Sequence, residues 1–222
     1  FPGRSPPMND HPGLFVVFEG IDGSGTTTVS RRVHEILAAD HSTALWTNEP
    51  SDSEYGTKAR HLLRVPQTQP IQLAMLFALD RWHHCQFVLQ PALDRGQLVV
   101  CDRYFLTSLA YQIQDGADRD IIERTNPAMR PDLTIYLRCP VEVAEERRNG
   151  RGIAADRFEV TARQRQIAQN YDYEVSRWKP EDGSIVEVDA TASVADIVRA
   201  SLDAVRGALA SRRERQPSPR PA

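Results

Sequence analysis

The chain has 222 residues, 41% hydrophobic and 26% charged, which suits one α/β domain and excludes a largely disordered or collagen-like polymer. Lys and Arg number 27 against 30 Asp and Glu, a net charge of −3. A dedicated nucleic-acid binder usually carries a strong basic excess, so no nucleic-acid partner is expected. Cys85, Cys101 and Cys139 are too few and too scattered for a disulfide framework or a zinc site, and read as buried reduced thiols. No apolar run reaches the roughly 18 residues of a membrane helix, and the start lacks the apolar stretch of a secretory signal. No membrane partner and a cytoplasmic location are expected.

Residues 1–12 are rich in Pro and Gly and read as a flexible segment. Leu14–Phe18 (LFVVF) is nearly all apolar, as a strand buried on both faces is. Thr43–Thr47, Gln97–Cys101, Leu133–Leu137 and Ile185–Val188 are further strand candidates, separated by segments long enough for crossover helices. Strands alternating with helices predict a parallel sheet with helices on both faces. Pro140 suits the first turn of a helix running towards Arg148. Val194, Ile197, Val198, Leu202, Val205 and Leu209 form one helical stripe, opened by a Ser193–Asp196 cap. Residues 13–210 read as one domain and 211–222 as a flexible basic tail.

The stretch Phe18–Thr28 (FEGIDGSGTTT) joins the first strand to a helix-compatible segment. Its glycines permit tight turns that aim backbone N–H groups inward, and the next helix N-terminus adds positive dipole. A phosphate-binding loop reads G-x-x-x-x-G-K-[ST]. Gly20, Ile21, Asp22, Gly23, Ser24, Gly25, Thr26 and Thr27 fill that frame, followed by Thr28, and only the lysine is missing, replaced by Thr26. These nine positions are the expected cradle for nucleotide phosphates. Loss of one transition-state donor typically costs about 2.7–4 kcal/mol. Either another cation substitutes, or transfer is slow, or there is none. A Gly-rich turn without a ligand is the competing reading of the loop alone.

Further motifs follow in order: TNEPSDSEYG from Thr47, LFALDR from Leu76, CDRYFLTSLAYQ from Cys101, PDLTIYL from Pro131, RRNGRGIAADRFE from Arg147 and VDATASV from Val188. From Leu14 to about Leu209 the chain resembles the thymidylate kinase family. The resemblance implies a three-layer fold of the P-loop NTPase type with a five-stranded parallel sheet, a mobile lid at about 147–157, and a homodimer packed through helices. It implies transfer of a phosphoryl group from ATP to dTMP, with Mg²⁺ as cofactor. Phe77 then stacks on thymine, Arg81 bonds its edge, Ser108 and Gln112 lie in the same pocket, and Tyr111 lies beneath the deoxyribose. Glu49, in the segment after the second strand, joins the dTMP-binding set, Glu19 is a supporting residue, and VDATASV flanks adenine.

Asp102 and Arg103 fall just past a strand's carboxyl end, where ligands bind in open α/β sheets. Asp102 with the Thr27 hydroxyl suits Mg²⁺, and the Arg103 fork suits the 5′-phosphate of dTMP. A structural Asp102–Arg103 ion pair is the alternative. Asp22 resembles the acidic residue that orients the acceptor near its 3′-hydroxyl and phosphate. Family members with Gly after that Asp, here Gly23, usually take catalytic cations from the lid, so Arg147, Arg148 and Arg151 join Arg103 and Asp22 as the expected catalytic set. A solvated helix end is the alternative for the three lid arginines. Asn48, where the family commonly has Arg, removes another cation. The acceptor phosphate is already ionised, with a second pKa of about 6, so none of the six His needs a catalytic role, and His83 and His84 read as ordinary helix residues. A non-catalytic nucleotide binder and a kinase for another nucleotide remain alternatives.

Overall fold

The computed structural model describes residues 11–40, 43–127, 129–149, 157–178 and 183–215. Its strands are β1 (Leu14–Glu19), β2 (Ala44–Asn48), β3 (Leu98–Asp102), β4 (Leu133–Arg138) and β5 (Ser184–Asp189). Each lies within one residue of an apolar run read from the sequence. They form one sheet in the order β2-β3-β1-β4-β5, every pair parallel. The central β1 is buried along its whole length, which is why its sequence does not alternate.

Alternate residues of β1 serve two cores, following the two-residue period of a strand. Leu14, Val16 and Phe18 pack with Val29, Val33 and Leu37 of α1 (Thr26–Asp40) and with Ile197 and Val205 of α9 (Val194–Arg215). Phe15 and Val17 pack with Cys85, Leu89, Leu93 and Tyr104 on the other face. That second core is built by α3 (Pro70–His84), which passes through a π-helical turn, Cys85–Leu89, into α4 (Gln90–Asp94). The short α5 (Phe105–Thr107) also runs into a π-helical turn, Ser108–Gln112. The remaining helices are α2 (Glu54–Leu62), α6 (Arg119–Thr125), α7 (Val141–Asn149) and α8 (Arg157–Ser176).

Local signals act where the sequence puts them. Ser193 Oγ accepts the Asp196 N–H at 3.2 Å and donates to its carboxylate at 2.6 Å, capping α9. Pro140 immediately precedes α7. Ile197, Val198, Leu202 and Val205 are buried, whereas Val194, in the first turn, is exposed. All three cysteines are buried and unpaired, and burial pushes the Cys85 thiol up to about 12, beyond ready ionisation.

Both ends of the domain differ from the sequence reading. Helix α9 continues to Arg215, past the expected start of the tail at 211. Arg212 donates to Asp132 at 2.6 Å and to the His11 carbonyl, and Asp132 in turn accepts the Phe15 N–H at 2.8 Å. His11, inside the segment expected to be flexible, is buried against this contact. Residues 1–10 and 216–222 lie outside the described residues.

Glu19 ends β1 with no exposed surface. One carboxyl oxygen accepts the Tyr104 and Thr107 N–H groups at 2.9 and 3.3 Å, and the other faces the Thr107 and Tyr171 hydroxyls at 2.6 and 3.0 Å. The group thereby ties β1, α5 and α8 together beneath the strand ends. Burial raises its pKa, against the lowering effects of the Thr107 hydrogen bond and the Arg103 charge. The fold therefore binds a proton that the unfolded chain releases near pH 4–5, and this contribution is lost as pH rises through the folded pKa. Urea unfolding of wild type and Glu19→Gln between pH 5 and pH 8 tests this. The wild-type midpoint falls relative to the variant as pH rises, and parallel profiles contradict the assignment.

Candidate active site

The loop between β1 and α1 has an open side and a packed side. Gly25 has φ 98°, and a Cβ there meets nothing within 4 Å, so the cradle is unobstructed. Gly23 has φ 95°, and a Cβ there lies 2.3 Å from the Ala144 carbonyl oxygen, so α7 packs directly on the loop. The Ser24 N–H bonds the Ile21 carbonyl at 3.0 Å, and Gly25 O accepts the first α1 bond from Val29 at 2.9 Å. Thr26, in the lysine position, is 4% exposed, a short buried side chain that cannot reach outward as an ammonium does.

Thr27, one residue on, donates its hydroxyl to Asp102 Oδ2 at the end of β3. Asp102 Oδ1 is buried without a partner. An orphaned carboxylate oxygen beside a hydroxyl is a hard-oxygen donor set that fits Mg²⁺, which keeps several waters and takes few protein ligands. No cluster of three His, Cys, Asp or Glu occurs among the described residues, so such an ion depends also on substrate phosphates.

Arg103 follows Asp102 with φ 68°, a left-handed conformation that is uncommon for a non-glycine residue. Its N–H bonds the Phe18 carbonyl at 2.8 Å. Its guanidinium pairs with Asp22 at 2.7 Å, not with Asp102, and lies 5.3 Å from the Tyr111 ring centre. The Tyr111 hydroxyl accepts the Asp22 N–H at 2.8 Å. The phosphate loop and the residue after β3 are thus fastened to each other at two points.

Beside them opens a cavity of about 420 Å³, and Asp22, Glu49, Phe77, Arg81, Arg103, Ser108, Tyr111 and Gln112 all line it. Arg81 is only 2% exposed. It donates to Glu49 at 2.8 Å, Ser108 Oγ at 2.9 Å, the Tyr104 carbonyl at 3.1 Å and the Asn126 side chain. Gln112 donates to Ser108 Oγ at 3.2 Å and keeps a buried Oε1 without a partner. A second cavity, of about 610 Å³, lies at the ends of β4 and β5 beside Val188, Asp189 and Thr191 of the VDATASV turn.

The lid arginines separate. Arg147 lies in the last turn of α7; burial pushes up the thiol of Cys139, which lines the second cavity, and the Arg147 charge opposes that rise. Arg148 lies one turn beyond Ala144 on the same face of α7, and its Nη2 is buried without a partner. Arg151 lies outside the described residues, as do Gly150 and Gly152. Asn48 donates to the Pro50 carbonyl at 2.7 Å, where Arg60 also donates at 2.6 Å.

The sequence reading missed several neighbours. Gln164 of α8 is 3% exposed, with Nε2 3.5 Å from Asp22 and an orphaned Oε1. Arg163 pairs with both oxygens of Asp115 at 2.6 and 2.9 Å, and both residues line the smaller cavity. His83 does behave as an ordinary helix residue, between the rings of Tyr55 and Phe87. His84 does not: it has no exposed surface, and its ring nitrogens lie 3.0 Å from Glu49 and 2.7 Å from Thr47 Oγ1. Its place one turn after Arg81 was the available signal, but its partners come from β2 and the segment after it.

The sequence profile of the family described as Thymidylate kinase matches residues 18–200. A probable thymidylate kinase of Pyrococcus horikoshii is 39% identical over 166 residues, covering 72% of this chain and 81% of the relative. One of Thermococcus onnurineus is 36% identical over 194 residues, covering 83% and 93%. A thymidylate kinase of Alkalilimnicola ehrlichii is 41% identical over 155 residues, covering 66% and 71%. With the profile match running from the end of β1 into α9, over a five-stranded parallel sheet with an open phosphate loop, the chain belongs to the thymidylate kinase family.

Proposed function

We propose that this chain transfers the γ-phosphoryl group of ATP to dTMP, giving dTDP. The observation that carries the acceptor assignment is that Arg81, whose Nη1 has one acceptor among the described residues, and Gln112, whose buried Oε1 has no partner, line the same cavity. A donor beside an acceptor matches the O4 and N3–H of thymine or uracil and opposes the amino group and bare N3 of cytosine. Phe77 offers its face to the base and Tyr111 to the deoxyribose, and Arg103 holds the 5′-phosphate beside Asp22. Glu49 orients Arg81.

The ATP phosphates lie on the amides of Gly20–Thr28, and adenine occupies the second cavity. Thr27 and Asp102 hold Mg²⁺, which when bound neutralises charge on the β and γ phosphates. An ionised dTMP phosphate oxygen attacks, so no general base is used, and positioning and charge neutralisation supply the catalysis. Arg147, Arg148 and Arg151 supply the positive charge that Thr26 lacks.

The assembly is a homodimer through helices. Leu79, Trp82 and Phe87, on α3 and its π-helical turn, leave 48%, 48% and 61% of their surfaces exposed and favour a second copy as the cover. No described helix is long and apolar enough to cross a membrane, and we place the protein in the cytoplasm.

A coupled ATP-consumption assay with dTMP, dUMP, dCMP and dGMP tests the reaction. Turnover with dTMP is expected, exceeding that with dCMP by at least about 10² in kcat/KM, since a site built to hydrogen-bond its substrate rejects a mismatched edge strongly. Binding without turnover, or preference for another base, contradicts the proposal. Single Ala variants of the three lid arginines test the replacement of the lysine. At least one lowers kcat by about 10³ or more, on the scale of an arginine finger. Thr26→Lys, by the same account, raises kcat by less than about tenfold, well short of the worth of one lost donor. Intact turnover in all three Ala variants, or a larger gain from the lysine, contradicts it.

A further inference from the structure

Arg81 meets the base only if its guanidinium is held at one angle, and the structure shows what holds it. Its Nε donates to one oxygen of Glu49 at 2.8 Å, and its two Nη groups are anchored on Ser108, Tyr104 O and Asn126. The other Glu49 oxygen is 3.0 Å from His84 Nδ1. An ionised carboxylate only accepts, so Nδ1 carries the proton and donates. In the neutral ring with Nδ1–H, Nε2 accepts the Thr47 hydroxyl at 2.7 Å. Thr47, His84, Glu49 and Arg81 form one chain of hydrogen bonds from the half-buried β2 to the cavity wall. His84 and Arg81 have 0% and 2% of their surfaces exposed, so water cannot stand in for a lost member.

We propose that His84 is a positioning residue for base recognition, acting through Glu49 on Arg81. This rests on the proposed binding of dTMP in the smaller cavity. Because the imidazole occupies Oε1, Glu49 grips Arg81 through Oε2 alone, which lies 2.8 Å from both Nε and Nη2. Without that donor the carboxylate turns both oxygens towards the guanidinium, drawing the fork off Ser108 and Asn126. Nη1 then no longer points at the base edge. The phosphate loop lies outside this chain of bonds, so the ATP side is unaffected.

The test is titration calorimetry with dTMP, dCMP and ATP on wild type, His84→Asn, His84→Gln and His84→Leu, with KM and kcat measured in parallel. Asn places an N–H where Nδ1 lies, and Gln places one where Nε2 lies. His84→Gln and His84→Leu are expected to weaken dTMP binding by about 10- to 100-fold, the worth of a hydrogen bond to a charged group. The preference for dTMP over dCMP falls by the same factor, and ATP affinity does not change. His84→Asn recovers most of the dTMP affinity and of the preference. Equal behaviour of the Asn and Gln variants, or parallel losses for dTMP, dCMP and ATP, assigns His84 a packing role only and overturns the inference. A wild type that binds dTMP without turning it over defeats the functional reading, while the same dissociation constants still decide the role of His84. A wild type with no preference for dTMP over dCMP overturns the inference itself.

Discussion

The ion pair between Arg103 and Asp22 is the constraint on which the site depends. Asp22 belongs to the loop after β1 and Arg103 to the turn after β3, and the parallel pairing of those strands brings both to the carboxyl end of the sheet. Arg103 makes the contact from a left-handed backbone. A non-glycine residue in that region costs about 1–3 kcal/mol and persists where its surroundings fix it. Here the surroundings are the Phe18 carbonyl, which takes its N–H, and the Tyr111 hydroxyl, which fixes the other partner through the Asp22 amide. Glu19 lies beneath, bonded to the residues that follow Arg103 and to α8. In the proposed reaction, one side of this junction holds the donor phosphates and the other the acceptor phosphate.

The missing lysine is the feature that separates this chain from an ordinary phosphate loop. The rest of the loop's design is intact: Gly25 faces open space, Thr27 meets Asp102, and Gly23 lets α7 lie against the backbone. That last contact matters because α7 ends in Arg147 and Arg148. A glycine at 23 lets the arginine-bearing helix pack directly on the phosphate loop. The loss of charge and the close approach of α7 are therefore parts of one arrangement in the proposed mechanism. A buried guanidinium nitrogen without a partner, on Arg148, is the kind of group that a phosphate oxygen satisfies.

Much of this was legible from the residues alone, for identifiable reasons. A strand buried on both faces is unbroken in its apolar character, so Leu14–Phe18 announced β1. Motif order picked out residues that the fold brings together, since the eight assigned to dTMP all line one cavity. What escaped the sequence depends on contacts between distant segments. His84 looked ordinary because Thr47 and Glu49, which define it, lie on and after a different strand. The π-helical turns at Cys85–Leu89 and Ser108–Gln112 were invisible because each keeps helical composition while shifting the register of the residues around it. The end of α9 was missed because its last residues are polar, yet Arg212 finds Asp132 and His11 across the base of the sheet.

The central claim is geometric: donor and acceptor phosphates meet over Arg103 and the loop. A crystal structure with dTMP and an unreactive ATP analogue, with Mg²⁺ present, tests it most directly. The account predicts the dTMP phosphate within hydrogen-bonding distance of the Arg103 guanidinium, its base against Phe77 and Arg81, and the β and γ phosphates over Gly25. A dTMP phosphate placed away from Arg103, or triphosphate density remote from the Gly20–Thr28 amides, contradicts it.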